Sequence, residues 1–243
     1  MLSLVIPTYN EKKSLQILFP RLKSIVSRMS IPVEFIVVDD NSPDGTAEFA
    51  SQFDMGLPTL VRVVKRPGKF GLASAVIEGW RSARGELLGV ISASGVHDES
   101  LLPEMVNAVL EGPAEVAIGS RYVRGASTGD RPLSREVISR AAVLMASALC
   151  PAKDSTSGYL VFGREVLEGV SLDPAGLKIG LEVMVRGRYR TFTELPYRFR
   201  GPQGKYKALD SREMFAYLIQ LGRLFAYRYR HHHQRRRWTR VVS

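Results

Sequence analysis

Short β-branched runs separated by helix-length amphipathic stretches fill the first ninety residues, and no other feature restricts the fold so much. Residues 2–6, 33–38, 60–64 and 87–92 read as strands, with helices over 14–27, 46–52 and 72–83 between them. Strands joined through helices run parallel, because only a crossover returns the chain to the same end of the sheet, and helices then cover both faces. The run Val-Glu-Phe-Ile-Val-Val at 33–38 is apolar almost throughout, as a strand covered on both sides must be.

In such a sheet the ligand site lies beyond the carboxyl ends of the strands, which directs attention to residues 7–11, 39–46, 65–71 and 92–98. The second half is looser. Residues 115–118, 160–162 and 191–196 read as strands, 134–149 and 178–190 as helices, and 201–207 as a basic, glycine-bearing loop. The polar stretch 122–133 is long for a connection inside a compact domain, which marks it as functional or disordered. A final helix spans about 210–229. With 243 residues and 45% apolar content, the chain divides into one α/β domain over 1–210 and a C-terminal amphipathic helix with a basic tail over 211–243.

The net charge of +10 is concentrated in that tail, where residues 223–243 hold seven arginines and no acid. Such a tail suits an anionic membrane surface, an acidic substrate or a nucleic acid, or is simply a solvated end. No recognisable nucleic-acid module accompanies it, so no nucleic acid is expected. Residues 2–6 already read as a strand, without the basic start and apolar stretch of a signal peptide, so a cytoplasmic protein is expected. The most apolar window, 214–227, is broken by Gln220 and Arg223, which argues against a spanning helix but leaves attachment at the cytosolic membrane face open. The single cysteine, Cys150, rules out an intramolecular disulfide and reads as a buried thiol.

The strongest local signal is Val37-Val38-Asp39-Asp40-Asn41-Ser42-Pro43-Asp44-Gly45-Thr46, a buried strand ending in two carboxylates and a turn-rich helix start. Carboxylates there can accept hydrogen bonds from ribose hydroxyls or a base N–H, the role expected of Asp39. Asp44 reads instead as a helix cap.

Together with Ile6-Pro7-Thr8-Tyr9-Asn10-Glu11, this segment resembles the nucleotide-sugar-binding half of family 2 glycosyltransferases of the GT-A fold. Arg66-Pro67-Gly68-Lys69-Phe70-Gly71-Leu72-Ala73-Ser74-Ala75 and Gly119-Ser120-Arg121-Tyr122 are similar to elements of the polyprenyl-phosphate (dolichol-phosphate) mannosyl- and glucosyltransferases in that family. So are Asp154-Ser155-Thr156-Ser157-Gly158-Tyr159, Glu194-Leu195-Pro196 and Gly204-x-x-Lys207. These motifs stand in the family's order and span about residues 2–210. The last departs from the pattern, lacking its serine and setting Arg200 about one place off.

The resemblance implies transfer of a hexose, mannose or glucose, from a nucleotide-sugar such as GDP-mannose or UDP-glucose to a polyprenyl phosphate. It implies a donor site containing Pro7, Tyr9, Glu11, Asp39, Asp40, Lys69, Gly71, Ser92 and Ser94. An attacking lipid phosphate is already anionic and needs no strong general base, whereas the departing diphosphate needs a cation. In the family that cation is a divalent ion held by Asp-x-Asp at the end of the fourth strand. Here the segment is Ser92-Ala93-Ser94-Gly95-Val96-His97-Asp98, with both acids replaced by serine and Val96 at a position where relatives carry a polar side chain. Serine hydroxyls bind Mg²⁺ or Mn²⁺ roughly a thousandfold more weakly than carboxylates, so no protein metal site is expected and a divalent ion would enter only with the nucleotide-sugar.

Two expectations follow. Either Lys69, Arg121, Arg131 and Lys207 neutralise the phosphates as fixed cations, with Arg121, Arg131 and Lys207 nearest the chemistry and Arg135 a further phosphate contact, or the chain is a non-catalytic relative that binds a nucleotide or a partner. His97 reads as a structural side chain with no proton-transfer role. In the last helix, Phe215, Leu218, Ile219, Phe225 and Tyr229 make a one-sided apolar pattern that would pack on the core or lie on anionic lipid.

Overall fold

The strand Leu2–Thr8 (β1) pairs in parallel with Val33–Asp39 (β2) along its whole length, from Leu2 opposite Val33 to Thr8 opposite Asp39. The structure, a computed structural model, describes residues 1–56, 58–129, 132–201, 211–231 and 238–241. Both strands are buried on both faces, and alternate residues divide between two cores. Val5, Ile36 and Val38 join one, and Leu4, Ile6, Phe35 and Val37 the other.

Six further strands complete an eight-stranded sheet in the order β3-β2-β1-β4-β6-β5-β7-β8. They are Leu60–Lys65 (β3), Leu87–Val90 (β4), Val116–Ser120 (β5), Leu160–Gly163 (β6), Thr191–Pro196 (β7) and Thr239–Arg240 (β8). Only β6 runs against its neighbours β4 and β5; the other pairings are parallel. The fold is the expected GT-A type, a mostly parallel sheet flanked by helices. Because β2 and β4 lie on opposite sides of β1, the chain reverses its direction of travel there and opens a crevice at the carboxyl ends of these three strands.

The helices Lys12–Val26 (α1) and Leu102–Leu110 (α4) cover one face through Leu15, Phe19, Leu22, Met105 and Val106, with Thr46–Gln52 (α2) beside α1. Leu72–Ser82 (α3), Leu133–Ala146 (α5), Ile179–Arg186 (α6) and Ser211–Arg230 (α7) cover the other, through side chains such as Val76, Trp80, Ala146, Met184 and Leu221. The closeness of α3 to the sheet depends on Gly79, where an added Cβ would lie 2.5 Å from Val5 Cγ1.

Two departures from the sequence reading have physical causes. β4 stops at Val90, because Ser92 already turns to bond with Ser94 and His97. The helix α4, entered through a 3-10 turn at Glu99–Leu101, went unread because its apolar residues merge with a run that has no strong cap beyond Asp98. The chain after 210 is distinct in composition but shares the same body: Tyr217, Leu221 and Leu224 of α7 are buried in the core, and β8 extends the sheet.

Candidate active site

The first two loops of the crevice are stitched together by short side chains. Thr8 Oγ1 donates to Asp39 Oδ1 at 2.9 Å, and Asp39 also accepts from the Ser42 amide at 2.8 Å and the Ser42 hydroxyl at 2.6 Å. Ser42 in turn accepts the Asn10 amide at 2.9 Å. Both Asn10 and Asn41 take left-handed conformations, φ 58° and 60°, which asparagine tolerates better than most residues. Asp39 is 1% exposed with both oxygens engaged inside the chain. Through these bonds Asp39 ties together the two turns at the carboxyl ends of β1 and β2. Asp44 closes the turn before α2, accepting the Thr46 amide at 3.0 Å, and reaches across to the Lys12 amide at 3.1 Å; the N-cap position of α2 itself falls to Gly45. Burial works against the ionised form of Asp44, but these bonds and that from the Thr46 hydroxyl prevail and lower its pKa.

Asp40 organises the third loop. Its Oδ2 accepts the amides of Phe70 and Gly71, each at 3.0 Å, and its Oδ1 lies 2.9 Å from Arg66 Nη1. Arg66 is also buried and reaches Ser74 at 2.7 Å and Glu78 at 3.2 Å. Gly71, at φ +95°, makes the turn that starts α3. Asp40 and Gly71 thus shape the loop, while Lys69, at its exposed tip, sets its ammonium 4.1 Å above the ring of Tyr9. Tyr9 is 39% exposed and Pro7 and Glu11 are half-buried, so these three and Lys69 are accessible on the first and third loops, together with exposed Asn10, Pro67 and Phe70.

In the fourth loop, Ser92 Oγ and Ser94 Oγ lie 2.8 Å apart and hydrogen-bond to each other. Among the described residues no group of three or more His, Cys, Asp or Glu side chains is placed to hold a metal ion. The nearby acids are otherwise engaged: Asp98 and Glu99 pair with Arg200 at 3.0 and 2.7 Å, and Glu99 also meets Arg21. Two neutral hydroxyls satisfying one another do not fit the divalent ion that the fold family holds here. His97 is structural, as expected. Its Nδ1 accepts the Ser92 amide at 3.2 Å, and its ring stacks on Tyr159 at 5.0 Å between centroids.

At the end of β5, Arg121 donates from Nε and Nη2 to the two oxygens of Asp154 at 2.7 and 2.6 Å, and Asp154 also accepts the Arg121 amide at 2.9 Å. Burial opposes the charged guanidinium, but the Asp154 bonds and charge outweigh it and raise its pKa. Two of its three nitrogens are thus committed, leaving Nη1 as the donor not bonded to Asp154. Asp154 is itself held by Glu194, whose Oε1 accepts the Asp154 amide at 2.9 Å and the Ser120 hydroxyl at 3.0 Å, and whose Oε2 accepts the Lys153 amide at 3.0 Å. Arg135 lies in the first turn of α5. Arg131 and Lys207 lie outside the described residues. The motif strings contained Thr8, Ser42, Asp154 and Glu194, but their work as a buried scaffold has no periodic signal in the sequence.

The sequence model of glycosyl transferase family 2 matches residues 3–170. A dolichol-phosphate mannosyltransferase of Pyrococcus furiosus is 36% identical over 226 residues, 91% of this chain and 63% of the relative. One from Mycosarcoma maydis is 33% identical over 93% of this chain and 80% of its own length. Among solved structures, a glucosyl-3-phosphoglycerate synthase from Mycobacterium tuberculosis shares the fold with a TM-score of 0.63 at 21% identity, over 94% of this chain and 79% of that one. A mannosyltransferase from Pyrobaculum calidifontis, solved with GDP-Man and Mn²⁺, does so with a TM-score of 0.55 at 19% identity, over 94% and 64%. The chain belongs to glycosyltransferase family 2, and it spans about 63% of the length of its Pyrococcus relative.

Proposed function

We propose that the chain transfers a mannosyl group from a nucleotide-sugar, GDP-mannose in the first instance, to a polyprenyl phosphate at a membrane surface. The observation that carries this reading is identity of 30–36% with dolichol-phosphate and polyprenol-phosphate mannose synthases, extending over more than 90% of the chain in three of them. A phosphate oxygen of the lipid attacks the anomeric carbon, the bond from that carbon to the nucleoside diphosphate breaks, and the resemblance implies inversion. Pro7, Tyr9 and Glu11 line the nucleoside side, on turns fixed by Asp39 and Asp40. Lys69, above Tyr9, and the remaining donor of Arg121 face the diphosphate as fixed cations, and Ser92 and Ser94 offer it neutral hydroxyls. Arg131 and Lys207 are assigned to the same anion on the motif alone.

The outward apolar residues of α5 and α7, Leu133, Val137, Leu144, Phe215 and Tyr229, support peripheral docking that would bring the site to its lipid acceptor. No helix among the described residues is long and apolar enough to cross a membrane.

The exchange of both metal-holding acids for serine favours one competing reading, a non-catalytic nucleotide- or partner-binding protein. Calorimetric titration of GDP-mannose and UDP-glucose, each with and without Mn²⁺, tests for a retained donor site, and an assay of transfer from GDP-mannose to a polyprenyl phosphate then separates the two. Binding of GDP-mannose that changes less than about threefold with Mn²⁺, about 0.7 kcal/mol, together with transfer supports the metal-independent transferase, whereas binding without transfer supports the nucleotide-binding protein. Absence of binding to either donor sinks the transferase.

A further inference from the structure

The described end of the chain returns to the sheet beside the residues that hold Arg121. Thr239 and Arg240 pair in parallel with Thr191 and Phe192, through bonds from the Thr239 amide to the Arg190 carbonyl at 2.8 Å and from the Val241 amide to the Phe192 carbonyl at 2.9 Å. Both residues of β8 are exposed, so side-chain burial within the strand cannot be what holds it there. Trp238 anchors it instead, stacked on buried Tyr189 at 6.2 Å with the Arg228 guanidinium 5.2 Å from its ring. From this seat Arg240 Nε reaches to 3.6 Å of Glu194 Oε2.

Glu194 has no exposed side-chain surface, and among the described residues Arg240 is the one cation paired with it. An ionised carboxylate so enclosed needs compensating charge as well as hydrogen bonds. The neutral donors are the Ser120 hydroxyl and the amides of Lys153 and Asp154, and through Asp154 the chain of contacts ends on Arg121. We propose that Arg240 is a positioning residue for the transfer site, its charge holding the Glu194–Asp154–Arg121 relay in the geometry that presents Arg121 to the diphosphate. The inference rests on the phosphate-facing role given to Arg121 above.

Arg240→Ala and Arg240→Lys test it in the full chain, with two readouts. The first is amide hydrogen exchange at Lys153, Asp154 and Arg121, whose N–H groups donate within the relay. Exchange there is expected to quicken about fivefold in Arg240→Ala, with the central strand β1 unchanged, and to return towards the parent rate in Arg240→Lys; the modest size reflects a long, partly exposed ion pair. The second is steady-state transfer from GDP-mannose to a polyprenyl phosphate. Arg240→Ala is expected to lower kcat by a similar factor, with rescue by lysine and with no further loss when added to Glu194→Gln. Unchanged exchange at the three amides overturns the proposal, as does a loss that lysine fails to rescue. If the parent chain transfers no sugar, the transferase reading fails separately, and the exchange experiment alone decides whether Arg240 holds the relay.

Discussion

His97 lies where a charged imidazole would have no water. Burial, then the nearby Arg121 cation, push its pKa down from 6.5 to about 3, against a smaller opposing pull from Asp154. The folded protein thus refuses a proton that the unfolded chain accepts. The stability this implies is complete above pH 6.5 and is lost as the pH falls from there towards 3. Between pH 7 and pH 5 the difference is on the order of 2 kcal/mol. Urea unfolding of the parent and of His97→Gln at both values checks this, the variant being expected to lose much less over the interval; parallel losses would refute it. The placing of His97 as structural was legible from its sequence context, as was the turn-forming role of Asp44. The internal use of Asp39 was not. A carboxylate at a strand end looks the same in sequence whatever its neighbours, and here Thr8 and Ser42, short hydroxyls in adjacent loops, bond to it across the turns.

Elements were legible where period and length agreed. The first four strands and three helices repeat the β-then-α rhythm without interruption, and the structure follows it to within a few residues. Two elements were hidden for opposite reasons: α4 because its residues are apolar without a clear boundary, and β8 because a two-residue strand with exposed side chains is specified by its partner rather than by its own pattern. Helix packing makes two glycines a contrasting pair. At Gly79 in α3 a methyl group would meet Val5 at 2.5 and 2.8 Å and Val38 at 3.1 Å. Gly79→Ala is expected to cost about 1–3 kcal/mol through overpacking, despite alanine's better helix propensity. At Gly222 in α7 an added Cβ meets nothing within 4 Å, so Gly222→Ala is expected to stabilise by about 0.5–1 kcal/mol. Chemical denaturation of both variants tests whether closeness of α3 to the sheet, rather than glycine content as such, sets the sign.

At the scale of the molecule, α5 and α7 each pack one face on the core and turn apolar side chains outward. These helices touch through the Tyr217 hydroxyl, which donates to the Ala142 carbonyl at 2.6 Å, and their inner faces lie in the core. Their outer faces leave Leu133, Val137, Leu144, Phe215 and Tyr229 between 58% and 83% exposed, while Arg228 and Arg230 occupy the last turn of α7. Apolar side chains gain about 1.5–3 kcal/mol each on full burial, and each basic residue near an anionic surface adds about 1 kcal/mol. The two together suit a lipid interface better than water. Co-sedimentation with phosphatidylcholine vesicles, with and without phosphatidylglycerol, separates the contributions. Binding is expected to be stronger to the anionic vesicles and to weaken with added salt, which screens the charges. The double variant Leu144→Glu and Phe215→Glu is expected to reduce binding at least tenfold, about 1.4 kcal/mol, while GDP-mannose binding in solution stays as in the parent. Equal partition of parent and variant would show that the apolar faces of α5 and α7 do not meet lipid, leaving the arginines to carry any attachment on their own.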